Sequence, residues 1–151
     1  MKLTLEIAAK LIDLTIERGQ ALGFKPLTVA VLDSGGNLKA FKRGDAPGLL
    51  RGDLAIGKAW SALSLGCGTG TFSEIARTSP DHINSLVVIS GGRLVPNRGG
   101  LLLTDYAGDI LGAIGVSGDS PDNDEAAALH SAEILGIVAD PGTRRVDEGE
   151  A

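Results

Sequence analysis

The sequence predicts an α+β domain, an antiparallel sheet with helices packed on its faces. Three observations carry that expectation. Two pairs of short apolar runs, at 26–43 and 101–118, are each joined by a turn of hairpin type. Helical periodicity fills the segments before, between and after those pairs. The helices fall in clusters, whereas a doubly wound parallel sheet needs strands and helices in regular alternation. At 151 residues the chain has the size of one domain, and with aromatics at only 3% its core must be built from Leu, Ile, Val and Ala.

Thr4 is a candidate N-cap for a first helix to Leu22, with Ile7, Ala8, Leu11, Leu14 and Thr15 on one face and Gly23 as the stop. Pro26 to Asp33 reads as a Val-rich strand, Gly35-Gly36 as a tight turn, and Leu38 to Arg43 as the returning strand, with Lys39, Phe41 and Arg43 on one face. Asp45-Ala46-Pro47 opens a second helix through about Leu65. Its small residues Gly52, Ala55, Ala59 and Ala62 form a narrow face suited to close packing against the sheet or another subunit. Gly66 ends it, Thr71 to Glu74 fits a capping box for a short third helix, and Ser79-Pro80 caps a fourth.

The loop Ser90 to Gly100 then feeds a strand, Leu101 to Asp105, and a turn at Tyr106 to Asp109 leads to a strand rich in glycine. In that strand Ile110, Ala113, Ile114 and Val116 are apolar. Gly112, Gly115 and Gly118 lack side chains where another backbone, a subunit or a ligand can approach. Ser120-Pro121, followed by Asp122, Asp124 and Glu125, marks the start of a last helix that runs to about Ala139. Residues 1–140 are thus expected to form one domain and 141–151 a flexible C-terminal tail.

The formal charge of −5 argues against nucleic acid or an anionic membrane as partner, since both reward basic surfaces. Glu6 and Asp13 interrupt the apolar N-terminal stretch, so it does not read as a signal segment, and the expected location is the cytoplasm. Cys67 is the sole cysteine, so there is neither a disulfide framework nor a cysteine-based metal spacing, and no metal site is expected. Gly66-Cys67-Gly68-Thr69-Gly70 follows a helix, not a strand, which makes it a helix stop and turn and not a dinucleotide loop.

Three stretches resemble the GlcG/HbpS-like family, also called the haem-degrading domain family and found as the C-terminal domain of PduO-type proteins. They are Gly99-Gly100 with Leu111 to Gly118 and Asp124-Glu125, Thr28 to Gly36 followed by Leu38 to Phe41, and Ala55-Ile-Gly-Lys58-Ala59. The resemblance covers nearly the whole chain. It implies a profilin-like α/β sandwich that assembles into homo-oligomers, in a family whose members bind haem or cobalamin-related ligands. The chain departs from the family pattern at Gly99-Gly100-Leu101-Leu102, where Gly-Gly-x-Pro is common, and at His130-Ser131, where small residues are usual. Haem-binding relatives use a His of the N-terminal helix, and here no His precedes His82, so any haem binding is expected to be weak.

The candidate chemistry rests on few residues. Arg51 and Lys58 lie seven apart on one side of the second helix, and converging cations suit a carboxylate or phosphate, although Asp45 and Asp53 stand ready as salt-bridge partners. Arg98, Gly99 and Gly100 end a glycine-bearing loop whose backbone N–H groups can approach a ligand. His82, at a helix start, and His130, on the last helix, are the candidate proton carriers. Two readings follow: an oligomeric protein that binds a small organic ligand or tetrapyrrole, or a small isomerase or lyase acting on an anionic metabolite. In both the ligand is a small molecule, most simply an anion.

Overall fold

A computed structural model of the chain describes residues 1–143. Five helices and five strands follow in the order α1 (Leu5–Ala21), β1 (Thr28–Asp33), β2 (Leu38–Arg43), α2 (Leu50–Leu65), α3 (Gly70–Thr78), α4 (Pro80–Ile89), β3 (Gly100–Thr104), β4 (Ile110–Ser117), α5 (Pro121–Ile134) and β5 (Val138–Asp140). The strands form one sheet in the order β2-β1-β4-β3-β5, and every pairing is antiparallel. The expected fold class is the one observed.

The pleat divides the core in two. On the interior strand β1, Val29 and Val31 point to the face covered by α1 and α5, where they join Leu11, Ile12, Ile114, Val116, Ala127 and Ala128. Leu32 points the other way and meets Ala59 and Ala62 of α2, together with Ala113 and Leu102. A third cluster, Phe72, Ile83 and Leu94, holds α3 and α4 to each other and to the loop before β3.

The narrow face of α2 lies against the sheet. Ala55, Ala59 and Ala62 are fully buried there, and a Cβ on Gly115 of β4 would overlap the Ala55 carbonyl oxygen. Glycine at 115 therefore lets a helix backbone rest directly on a strand, and this uses up the small-residue face within one chain.

Several boundaries differ from expectation. Thr4 and Ser120 cap as expected, their hydroxyls accepting from the Ile7 and Asn123 backbone N–H groups at 3.2 Å each. α2 starts at Leu50, after Gly48 at φ +114°, and has no side-chain cap. The capping box at Thr71 does not form. Thr69 takes the N-cap position of α3 because its backbone and hydroxyl are committed to Gly100: Thr69 N donates to Gly100 O at 2.9 Å, and Gly100 N to Thr69 Oγ1 at 2.9 Å. Ser79 ends α3 and begins α4 without a side-chain cap.

The last helix stops at Ile134, not Ala139. Gly136, at φ +67°, turns the chain, and Val138–Asp140 pairs with β3. Of the segment expected to be a tail, 144–151 lie outside the described residues. Residues 141–143 lie against the α2–α3 connection, with Gly70 N donating to Pro141 O at 2.9 Å and Thr143 N to Thr71 Oγ1 at 3.1 Å. No helix among the described residues is long and apolar enough to cross a membrane.

Candidate functional site

The helix α2 separates two environments, a buried polar cluster on its sheet side and an apolar cleft on its outer side. Lys58 belongs to the first. It shares its helix face with Ala55, Ala59 and Ala62, and the residue is 3% exposed. Nζ donates to Val116 O at 2.8 Å and lies 3.3 Å from Asp124 Oδ2, while Asp124 Oδ1 accepts from Asp119 N at 2.9 Å.

Burial is the largest influence on both partners. It pushes the Lys58 amine below its ordinary value against the pull of Asp124, and it pushes the Asp124 carboxyl above its own against the pull of Lys58. Gly99 sits over the pair. A Cβ there would come within 3.0 Å of Lys58 Nζ and 2.8 Å of Val116 O, so the glycine of the loop faces the ion pair directly.

Arg98, 5% exposed, is the second hub. Its Nη1 donates to Glu125 Oε2 at 3.1 Å and its Nη2 to Thr143 O at 2.6 Å, with Asp122 at 3.6 Å and Glu74 at 3.8 Å. It joins α3, the first turn of α5 and the chain after β5. Arg51 is different: half-buried, it makes one long hydrogen bond, Nη1 to Ser117 Oγ at 3.4 Å, and neither Asp45 nor Asp53 pairs with it.

The structure thus brings together Lys58, Arg98, Gly99 and Gly100 around the N-terminal turn of α5, with Arg51 at the edge through Ser117 beside Val116. It does not bring the imidazoles there. His130 lies six residues beyond Asp124, roughly 9 Å along the helix, and His82 is exposed on α4. Neither imidazole makes a hydrogen bond or ion pair with a described residue. Ile134 is 54% exposed, and the buried face of α5 is that of Asp124, Ala127, Ala128 and Ser131.

On the outer side of α2 lies a cleft of about 340 Å³, bordered by Leu50, Leu54, Ile56, Trp60 and Val95, with Arg93 and Asp53 as its two charged residues. The Arg93 guanidinium stacks 4.0 Å from the centre of the Trp60 ring. Gly57 lets the loop before β3 close against the helix, since a Cβ there would meet Val95 Cγ2 at 2.7 Å. The aromatic and the loop arginine were both present in the sequence, but only folding puts one over the other. Another hollow, of about 400 Å³ beside Tyr106, carries Glu133 and no cation, which disfavours an anion there.

The model of the family described as haem degrading protein HbpS-like matches residues 3–133. The chain belongs to that family. In fold it is similar to a PduOC–haem complex, with a TM-score of 0.80 and 24% identity over 95% of this HbpS-like chain and all of that one. A double mutant of Streptomyces reticuli HbpS is 30% identical, with a TM-score of 0.75, and the match covers 90% of this chain and 88% of that one. A 15.0 kDa protein from the dhaT–dhaS intergenic region of Citrobacter freundii is 29% identical over 103 residues, 68% of this chain and 71% of its own.

Proposed function

We propose that this HbpS-like chain is an oligomeric binding protein for an amphipathic anion of the tetrapyrrole class, seated in the cleft on the outer side of α2. The observation that carries this reading is the pairing of an apolar cleft of about 340 Å³ with the Arg93 guanidinium on Trp60 at its rim. Ligand pockets are apolar with a few placed polar groups, and this one has an aromatic ring capped by a cation suited to a carboxylate, with Asp53 as its one acidic residue.

Haem fits those residues as a planar body with acidic side chains. No His, Cys or Met borders the cleft, so the chain supplies no axial ligand there and holds the macrocycle by contact and charge. Bound haem would supply a redox-active iron. The residues themselves stack, exclude water and neutralise a carboxylate. A cleft of this size leaves part of such a ligand uncovered, and a second copy of the chain is the simplest cover.

The test is a porphyrin titration read by Soret absorbance, with oligomeric state followed by light scattering. Arg93→Glu should weaken binding about tenfold or more, since a charged hydrogen bond contributes about 1.5–3 kcal/mol, and Trp60→Ala should weaken it about as much through the loss of a buried aromatic contact. Unchanged affinity in both variants would refute the placement.

A further inference from the structure

At one end of the sheet, on the face that α2 covers, Arg43 of β2, Thr28 of β1 and Ser117 of β4 form a row across three strands. Thr28 is the register partner of both others. Directly opposed residues share a face, and that face is the α2 side: Phe41, two residues before Arg43, lies against Gly52, and Ser117 accepts from Arg51. The fold leaves one hydroxyl in this row without a partner, and two guanidiniums in and beside it without an ion pair among the described residues.

The Thr28 hydroxyl is buried, in a residue 1% exposed, and has no hydrogen-bond partner. Buried hydroxyls are nearly always paired, because leaving one unpaired forfeits its hydration. Arg43 and Arg51 make no ion pair with any described residue, in a chain whose formal charge is −5. The neighbouring Lys58 is already paired with Asp124, and Arg51 pushes its amine down. A single buried water would satisfy Thr28 and leave both guanidiniums unpaired.

We propose that Thr28, Ser117, Arg51 and Arg43 form a site for a small carboxylate, separate from the α2 cleft. The two hydroxyls donate to the carboxylate and the Arg51 guanidinium neutralises it. Arg43, exposed at the edge strand, attracts the anion to the mouth. Arg51 is also the cover: its 3.4 Å bond to Ser117 is long, its side chain is half-buried, and rotating it outward opens the row from the side where α2 begins.

The test is a titration of the protein with acetate, and separately with inorganic phosphate, followed by backbone amide and Trp60 indole resonances. Acetate should give saturable shifts at Thr28 and Ser117, with the Trp60 indole unmoved. Arg51→Gln should weaken that binding about tenfold. Thr28→Val, which keeps shape and removes only the hydroxyl, should weaken it at least severalfold while the protein stays folded. Absence of a saturable shift, equal affinity in both variants, or tighter binding of phosphate than of acetate would overturn the proposal. Shifts centred on Trp60 would assign the anion to the cleft instead and equally overturn it.

Discussion

Lys58 and Asp124 illustrate how a buried ion pair constrains a fold without adding much net stability. Each charge is stripped of water, so removing one strands the other: Lys58→Met should cost about 3–5 kcal/mol, whereas Lys58→Met with Asp124→Leu should cost clearly less. Urea unfolding of the two variants checks this. Burial raises the Asp124 carboxyl above its unfolded value, so its own contribution is fullest in acid and declines as pH rises through the folded value. Asp119 has the opposite sign. Hydrogen bonds from Asn123, Ser120 and Lys25 hold it below the ordinary aspartate value, so its contribution is present above that value and is lost as pH falls through the depressed one. Asp119→Asn should therefore lower the thermal midpoint at pH 7, with the difference from wild type vanishing in acid. The cations of this region were legible in the sequence as residue types. Their partners were not, because Asp124 lies 66 residues from Lys58 and Glu125 lies 27 from Arg98. Nothing in local spacing encodes which carboxylate a cation will meet.

Among the elements, the two Ser-Pro helix starts read alike in sequence and differ in structure. Ser120 has extended backbone, ψ 153°, and its hydroxyl accepts from Asn123 N. Ser79 must also end α3, its own N–H donating to Ile75 O at 2.7 Å, and its hydroxyl caps nothing. Ser120→Ala should cost about 0.5–2 kcal/mol and Ser79→Ala no more than about 0.5, as thermal or urea unfolding will show. Helices α1 and α5 were legible at their starts because the signal is local. The start of α3 was not, because a tertiary bond to Gly100 sets it, and β5 was hidden because Ile137 continued the apolar pattern past the Gly136 stop. The glycine in β4 was legible as a place of close approach, but whether a helix, a subunit or a ligand came near was not. The answer at Gly115 is α2, so Gly115→Val should be destabilising by more than about 1–3 kcal/mol, the usual range for overpacking.

For the whole molecule, the sheet with α1 and α5 on one face and α2 on the other was readable from hairpins and helix order, while the cleft was not, because it joins Trp60 to a loop 33 residues later. The small-residue face that first suggested assembly is spent against the sheet. The proposal of a homo-oligomer now rests on the family and on apolar residues left outside, such as Leu49 at 94% and Ile89 at 85% exposed. Light scattering at micromolar concentration should report a mass above the 15.4 kDa of one chain. The central claim is that a tetrapyrrole is held by an apolar cleft and a cation and not by an imidazole. Comparing hemin with metal-free protoporphyrin IX, in wild type and in His82→Ala and His130→Ala, tests it most directly. Affinities for the two porphyrins within a few-fold of each other, unaffected by either histidine change, are the predicted result. Tight binding confined to hemin and lost in a histidine variant would contradict it.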